Sequence, residues 1–275
     1  MNTDKREFFS KLVIILLLQF AGFWAIWSWY AARLLSFDGE SWSFVALGGA
    51  ILLCLRQSKK SENISLPLVL PAIFVLLYAA SFPFAAPILI KAILAVTAIS
   101  LTLSRAIFGQ VLHLGVYVLL LLSLPLVASL NFFAGFPLRV IAGEATAFLL
   151  RLNGLNIWRE GVCLHFGEQL ISIDAPCSGV KMLWFGLFLT AVLIIILQLN
   201  LWRSAAAFAL AFVIILLGNI ARASALFYTE AKIIDAPVWT HEAVGVFSFV
   251  LVAVGIVFVT QTLKGNLKWH AGQFS

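Results

Sequence analysis

Ile171-Ser172-Ile173-Asp174-Ala175-Pro176-Cys177-Ser178-Gly179-Val180-Lys181 leads into a run from Met182 to Leu199 that carries no charge. A run of that length is close to the ~20 apolar residues that a helix needs to cross a bilayer. Reading it as a membrane span decides the fold class. The lead-in is polar and holds a cysteine where the helix should begin. Pro176 lacks an N–H and suits a helix entry, and Gly179 has no Cβ and permits close approach by another group. The N–H groups at a helix start are unpaired and carry partial positive charge, which favours a thiolate nearby. Cys177 is therefore the best candidate nucleophile in the chain.

Working outward, the composition repeats the message. Of 275 residues, 63% are hydrophobic and only 11% charged, which excludes an ordinary soluble domain. The chain reads as an all-α, polytopic membrane protein, one integral membrane domain over residues 1–275. Expected spans lie at about 12–32, 42–55, 66–82, 86–104, 111–131, 179–199, 204–222 and 241–262, eight in all. The third is split by Pro67 and Pro71 and can kink. The first is too long for a signal-peptide core and has no small-residue cleavage site after it, so it is expected to be retained. No cysteine or histidine pair has zinc-ligand spacing, and no glycine-rich nucleotide loop occurs; no metal and no cofactor are expected.

Charge gives the orientation. With the N-terminus inside, Lys5, Arg6, Lys11, Arg56, Lys59, Lys60, Arg105, Arg203, Lys264 and Lys268 fall on the cytoplasmic side. The acids on that side are only Asp4, Glu7 and Glu62, while Asp38, Glu40, Glu144, Glu160, Glu168, Asp174, Glu230, Asp235 and Glu242 fall outside. This is the positive-inside pattern. It accounts for the net charge of +6 as membrane anchoring and leaves no nucleic-acid surface to explain. Both termini are expected in the cytoplasm.

The first half offers little chemistry. Trp24, Trp27 and Trp29 form an interfacial aromatic belt, Lys91 can snorkel to headgroups, and Cys54 reads as a small buried hydrophobe. His113 reads as an interfacial residue. The extracytoplasmic insertion, residues 132–178, differs. Apolar residues recur at helical spacing over 138–152, with Arg139, Glu144 and Arg151 among them, which predicts an amphipathic helix on the outer surface. From Asn156 to Ile173, Val162, Leu164 and Phe166 alternate with Cys163 and His165 between Gly161 and Gly167, which predicts a hairpin. Cys163 is expected in the hairpin core, or else in a disulfide with Cys177 that blocks or regulates it. His165 is expected in an exposed loop.

The seventh span closes on Gly218-Asn219-Ile220-Ala221-Arg222, and the eighth opens on Thr240-His241-Glu242-Ala243-Val244-Gly245. Asn219 lies one turn before Arg222 and shares its face. A charge in a bilayer costs roughly 2.5–3.5 kcal/mol on insertion scales, so Arg222 needs a partner or water. Cys177, Arg222 and His241 thus share one predicted depth, at the outer ends of three consecutive spans. A thiol nucleophile, a permanent cation and an imidazole suffice for acyl transfer through a thioester. Read alone, Arg222 is equally an interfacial anchor and His241 a helix cap. Asn219, Asp174 and Lys181 are equally solvated helix-end residues. Glu242 points to a different face from His241. A transporter or channel with an outer polar vestibule is the alternative, but such a protein should place ionisable residues at mid-membrane, and these spans are nearly free of charge at their centres.

Asp174-Ala175-Pro176-Cys177-Ser178-Gly179, Asn219-Ile220-Ala221-Arg222 and His241-Glu242-Ala243-Val244-Gly245 together resemble the exosortase/archaeosortase family over residues 171–250. The resemblance implies a membrane-embedded cysteine peptidase or transpeptidase of the bacterial inner membrane. Its partners would be membrane lipid and exported proteins with a C-terminal sorting signal: a short motif, a transmembrane helix and a basic tail. It also implies Cys177 as nucleophile, Arg222 as stabiliser and His241 as general acid/base, with Asn219, Ser178, Gly179 and Asp174 in support.

Overall fold

The computed structural model describes residues 3–35, 42–58, 68–172, 179–237 and 239–265. It divides into two compact units, Met1–Leu126 with Ala191–Ser204, and Val127–Thr190 with Ala205–Ser275.

The first unit holds α1 (Thr3–Gly22), α2 (Trp24–Leu35), α3 (Trp42–Ser58), α4 (Val69–Ala80), α5 (Ile88–Phe108) and α6 (Leu114–Leu122). The single first span expected over 12–32 is broken after Gly22, and its two halves bend by 69°. Phe23 at the break is almost fully buried and meets the Tyr78 ring edge-on at 4.8 Å. The buried Gln19 Nε2 donates to Thr102 Oγ1 at 2.9 Å and ties α1 to α5. Lys91, expected to snorkel, has its Nζ 4.1 Å from the centre of the Phe82 ring. Gly115 is a contact point: a Cβ there would lie 2.8 Å from the Ala191 carbonyl and from Ile195. His113 is buried at the start of α6, its N–H donating to Ser104 Oγ at 2.9 Å, so it is not an interfacial side chain.

The second unit holds α7 (Val127–Phe133), α8 (Gly135–Leu152), β1 (Ile157–Glu160), β2 (Cys163–Phe166), β3 (Gln169–Ser172), most of α9 (Val180–Leu197) and α10 (Leu201–Glu230), and α11 (Thr240–Lys264). The expected outer helix is α8, which ends at Asn153-Gly154 with Gly154 at φ +82°. The expected hairpin is a three-stranded antiparallel meander, because Gln169–Ser172 adds a further strand beside β2. Its turns open on Gly161 and Gly167, at φ +60° and +59°, as tight two-residue hairpin turns require. Ile157, Leu164 and Ile171 face inward and pack with Ala147 and Leu150 of α8 and Phe227 and Ala231. Cys163 is half-exposed on the other face, so it is not the hairpin core residue; Leu164 fills that role.

Among the described residues, four helices are long and apolar enough to cross a membrane: α5, α9, α10 and α11. The number rises to six if the broken pairs α1/α2 and α6/α7 are each one span. The protein is thus an all-α polytopic membrane protein with a small sheet. The expectation of eight spans exceeds this because α3 and α4 have 17 and 12 residues. At 1.5 Å per residue they reach about 26 and 18 Å, short of the ~30 Å hydrocarbon core. Pro125, which lacks a donor, accounts for the interruption between α6 and α7.

Candidate active site

Gly179 stands before α9, Asn219 and Arg222 lie within α10, and His241 and Gly245 lie in the first turns of α11; side chains of α10 packed on the two glycines join these stretches. Gly179 stands immediately before α9 in a left-handed conformation, φ +80°. A Cβ on it would lie 2.8 Å from Asn219 Cγ and 2.9 Å from Nδ2. The buried Asn219 amide group is therefore pressed against the Gly179 backbone, and no larger residue fits between them.

Arg222 follows Asn219 by one turn of α10 and crosses to α11. Its Nε and Nη2 lie 3.7 and 3.8 Å from where a Cβ on Gly245 would stand. Gly245 sits one turn after His241, on the same helical face. So the chain of contacts runs from the residue two after Cys177, through Asn219 and Arg222, to the turn of α11 that carries His241. The Arg222 Nε is buried and has no hydrogen-bond partner among the described residues. A buried donor left over on a permanent cation is what a site built to meet an incoming acceptor would hold ready. His241 itself is exposed, as is Glu242. Deeper along the same helices, Gly186 packs beneath Ile215 and Gly218 beneath Val252, which lets the three backbones approach closely.

One expectation shifts here. Arg222 does not end its helix. With no breaker before Asp235-Ala236-Pro237, α10 continues from Arg222 to Glu230. That extension carries Phe227 into the core under the sheet. Cys177, Ser178 and Asp174 lie outside the described residues.

Sequence reading missed a charged cluster beside the sheet. Arg159 Nε donates to Glu144 Oε2 at 2.7 Å, and Arg151 reaches Glu144 Oε1 at 3.4 Å. The hydrogen bond from Arg159, with both cations nearby, holds the Glu144 carboxyl below the usual carboxylate range. His165, expected in a loop, lies in β2, where it stacks on Trp158 at 3.6 Å and has its Nε2 3.3 Å from Glu160 Oε2. It belongs to the outer sheet face. Cys163 carries a free thiol. Among the described residues no three His, Cys, Asp or Glu side chains gather as metal ligands.

No curated protein and no solved structure matches the chain. A family model described as transmembrane exosortase matches residues 6–258, far beyond the three motifs. With a match across nearly all of its helices, the chain belongs to the transmembrane exosortase family, multi-pass membrane proteins that act on exported proteins with C-terminal sorting signals.

Proposed function

We propose that this protein cleaves the C-terminal sorting signal of exported proteins near the outer face of the inner membrane, through a thioester on Cys177. The observation that carries the reading is the contact relay from Gly179 to Asn219 and from Arg222 to Gly245, which draws three motifs distant in sequence into one neighbourhood. Residues 132–178 form the outer insertion, and both termini face the cytoplasm, in keeping with the charge segregation.

The Cys177 thiolate attacks the scissile carbonyl carbon. Arg222 hydrogen-bonds the oxyanion that develops, a contribution worth about 10²–10³ in rate for one donor in comparable sites. Collapse of the tetrahedral intermediate breaks the C–N bond, and protonated His241 gives its proton to the departing amine. The substrate's new C-terminal residue is now held as a thioester. An incoming amine, hydroxyl or water attacks that carbonyl while neutral His241 takes its proton. The thiolate leaves and the cycle closes. Asn219, pressed on Gly179, holds the start of α9 in place against α10.

The test is Cys177→Ala and Cys177→Ser in the native host, read by processing of a tailed exported protein. Both variants should insert normally and leave the tail uncut, and mass spectrometry of the parent protein should trap a substrate adduct on Cys177. Unchanged processing in Cys177→Ala would remove the proposed nucleophile.

A further inference from the structure

A small open cleft lies beside the relay, bounded by Thr146 of α8, Leu164 of β2, Ile171 and Ser172 of β3, and Ala223, Leu226, Phe227 and Glu230 of α10. Two of its boundaries adjoin the proposed chemistry: Ala223 follows Arg222 directly, and Ser172 lies five residues before Cys177.

Its walls are mostly apolar: Ser172 and Glu230 are exposed, and the buried polar side chain among them is Thr146. Thr146 is fully buried, and its Oγ1 has no hydrogen-bond partner among the described residues. This is unusual within the same molecule. Thr97, Thr102, Thr190 and Thr260 each donate to the carbonyl four residues earlier in their helices, at 2.7 to 2.9 Å. Thr146 forgoes the bond to Ala142 that its helix offers. An unpaired buried hydroxyl is unfavourable unless something arrives to meet it.

We infer that this cleft is a specificity pocket of the site proposed above, and that it takes one side chain of the sorting signal, not an acidic one, next to the scissile bond. Leu164, Ile171, Leu226 and Phe227 enclose the apolar part of that side chain. Thr146 Oγ1 hydrogen-bonds its polar end or the backbone that carries it. An acidic side chain is rejected, because the apolar walls offer a buried carboxylate no partner and the charged residue of the lining, Glu230, repels it. The inference rests on the proposed function.

The test uses the full-length protein in its native membrane. The probe is a reporter carrying the C-terminal tail of an exported protein of the same host. Each residue of the motif before its transmembrane helix is replaced in turn by alanine, leucine, serine and aspartate. The parent protein should reject aspartate at the position next to the cut. Ala223→Leu, which fills the cleft, should shift the preference at that one position toward alanine by at least about tenfold relative to the parent. Thr146→Val, equal in size but without the hydroxyl, should alter the ranking of polar against apolar residues at the same position. If Ala223→Leu fails to accumulate, Thr146→Val carries the test. An unchanged ranking at every position, or a uniform loss at normal membrane levels, overturns the pocket. Processing that persists in Cys177→Ala overturns the nucleophile instead, and the pocket is then judged by the shift in ranking alone.

Discussion

At the scale of single residues, Gly179 is the most exacting described position beside the proposed nucleophile, Cys177. Its φ of +80° costs an L-residue about 1–2 kcal/mol, and an added methyl would also strike Asn219 at 2.8 Å. Gly179→Ala should therefore reduce tail processing at least about tenfold, since 1.4 kcal/mol is a factor of ten. Membrane levels should stay near those of the parent. Equal processing rates in a pulse-chase would show that the contact does not matter to activity. The residues proposed for this site stand out in the sequence because each breaks the pattern around it: a cysteine bracketed by proline and glycine, an arginine in an apolar run, a histidine at a span entry. Their partners were not. Asn219 shares a face with Arg222 by spacing, but nothing in the string says that its amide is matched to Gly179. The missing hydrogen bond of Thr146 was equally invisible, because a threonine inside an apolar helix reads as ordinary until its rotamer is known.

At the scale of elements, the small sheet is fixed to α8 by apolar packing on its inner face and by ions at its edge. Glu144 is half-exposed, so its bonds to Arg159 and Arg151 are screened and contribute modestly. The sign is nonetheless definite. The folded carboxyl has its pKa below the ordinary 4.5. Its stabilisation is fully present above that value and is lost as pH falls through the lower, folded value. Hydrogen exchange in β1 and β2, corrected for intrinsic rates, should therefore accelerate as pH drops below about 4.5. Glu144→Gln should show the faster exchange already at neutral pH, with little further change on acidification. Identical exchange in parent and variant at neutral pH would mean that the ions do not secure the sheet. Here the string was half legible. Alternation over Val162 to Phe166 announced a β segment, but only Ile171 of β3 is buried, so that strand resembled the approach to α9. The length of α10 was misjudged for the opposite reason: Ala223 to Tyr228 could end a span or continue a helix, and packing of Phe227 beneath the sheet decides for continuation.

At the scale of the whole molecule, the long helices turn large apolar side chains outward. Leu17, Leu18, Val246 and Phe247 are each more than 60% exposed, which is tolerable in lipid and a liability in water. The orientation proposed above rests on charge. The basic residues near the ends of α3, α5 and α11 are Arg56, Arg105 and Lys264, while the acidic Glu144, Glu160 and Glu168 belong to α8 and the sheet. Span counting by hydropathy could not detect the break at Phe23, because the residues on either side are as apolar as those in an unbroken helix. Orientation is less sensitive to such breaks, since it depends on which connections carry lysine and arginine. Cysteine labelling tests it in a Cys177→Ala background. A membrane-impermeant maleimide applied to spheroplasts should modify the half-exposed Cys163, and a Glu168→Cys probe in the β2–β3 turn, without lysis. The buried Cys54 should stay unmodified throughout, and a Lys264→Cys probe at the exposed end of α11 should react only after permeabilisation. The reverse pattern would turn the sheet and the relay toward the cytoplasm, where an exported tail that has already crossed the membrane could not present its motif to Cys177.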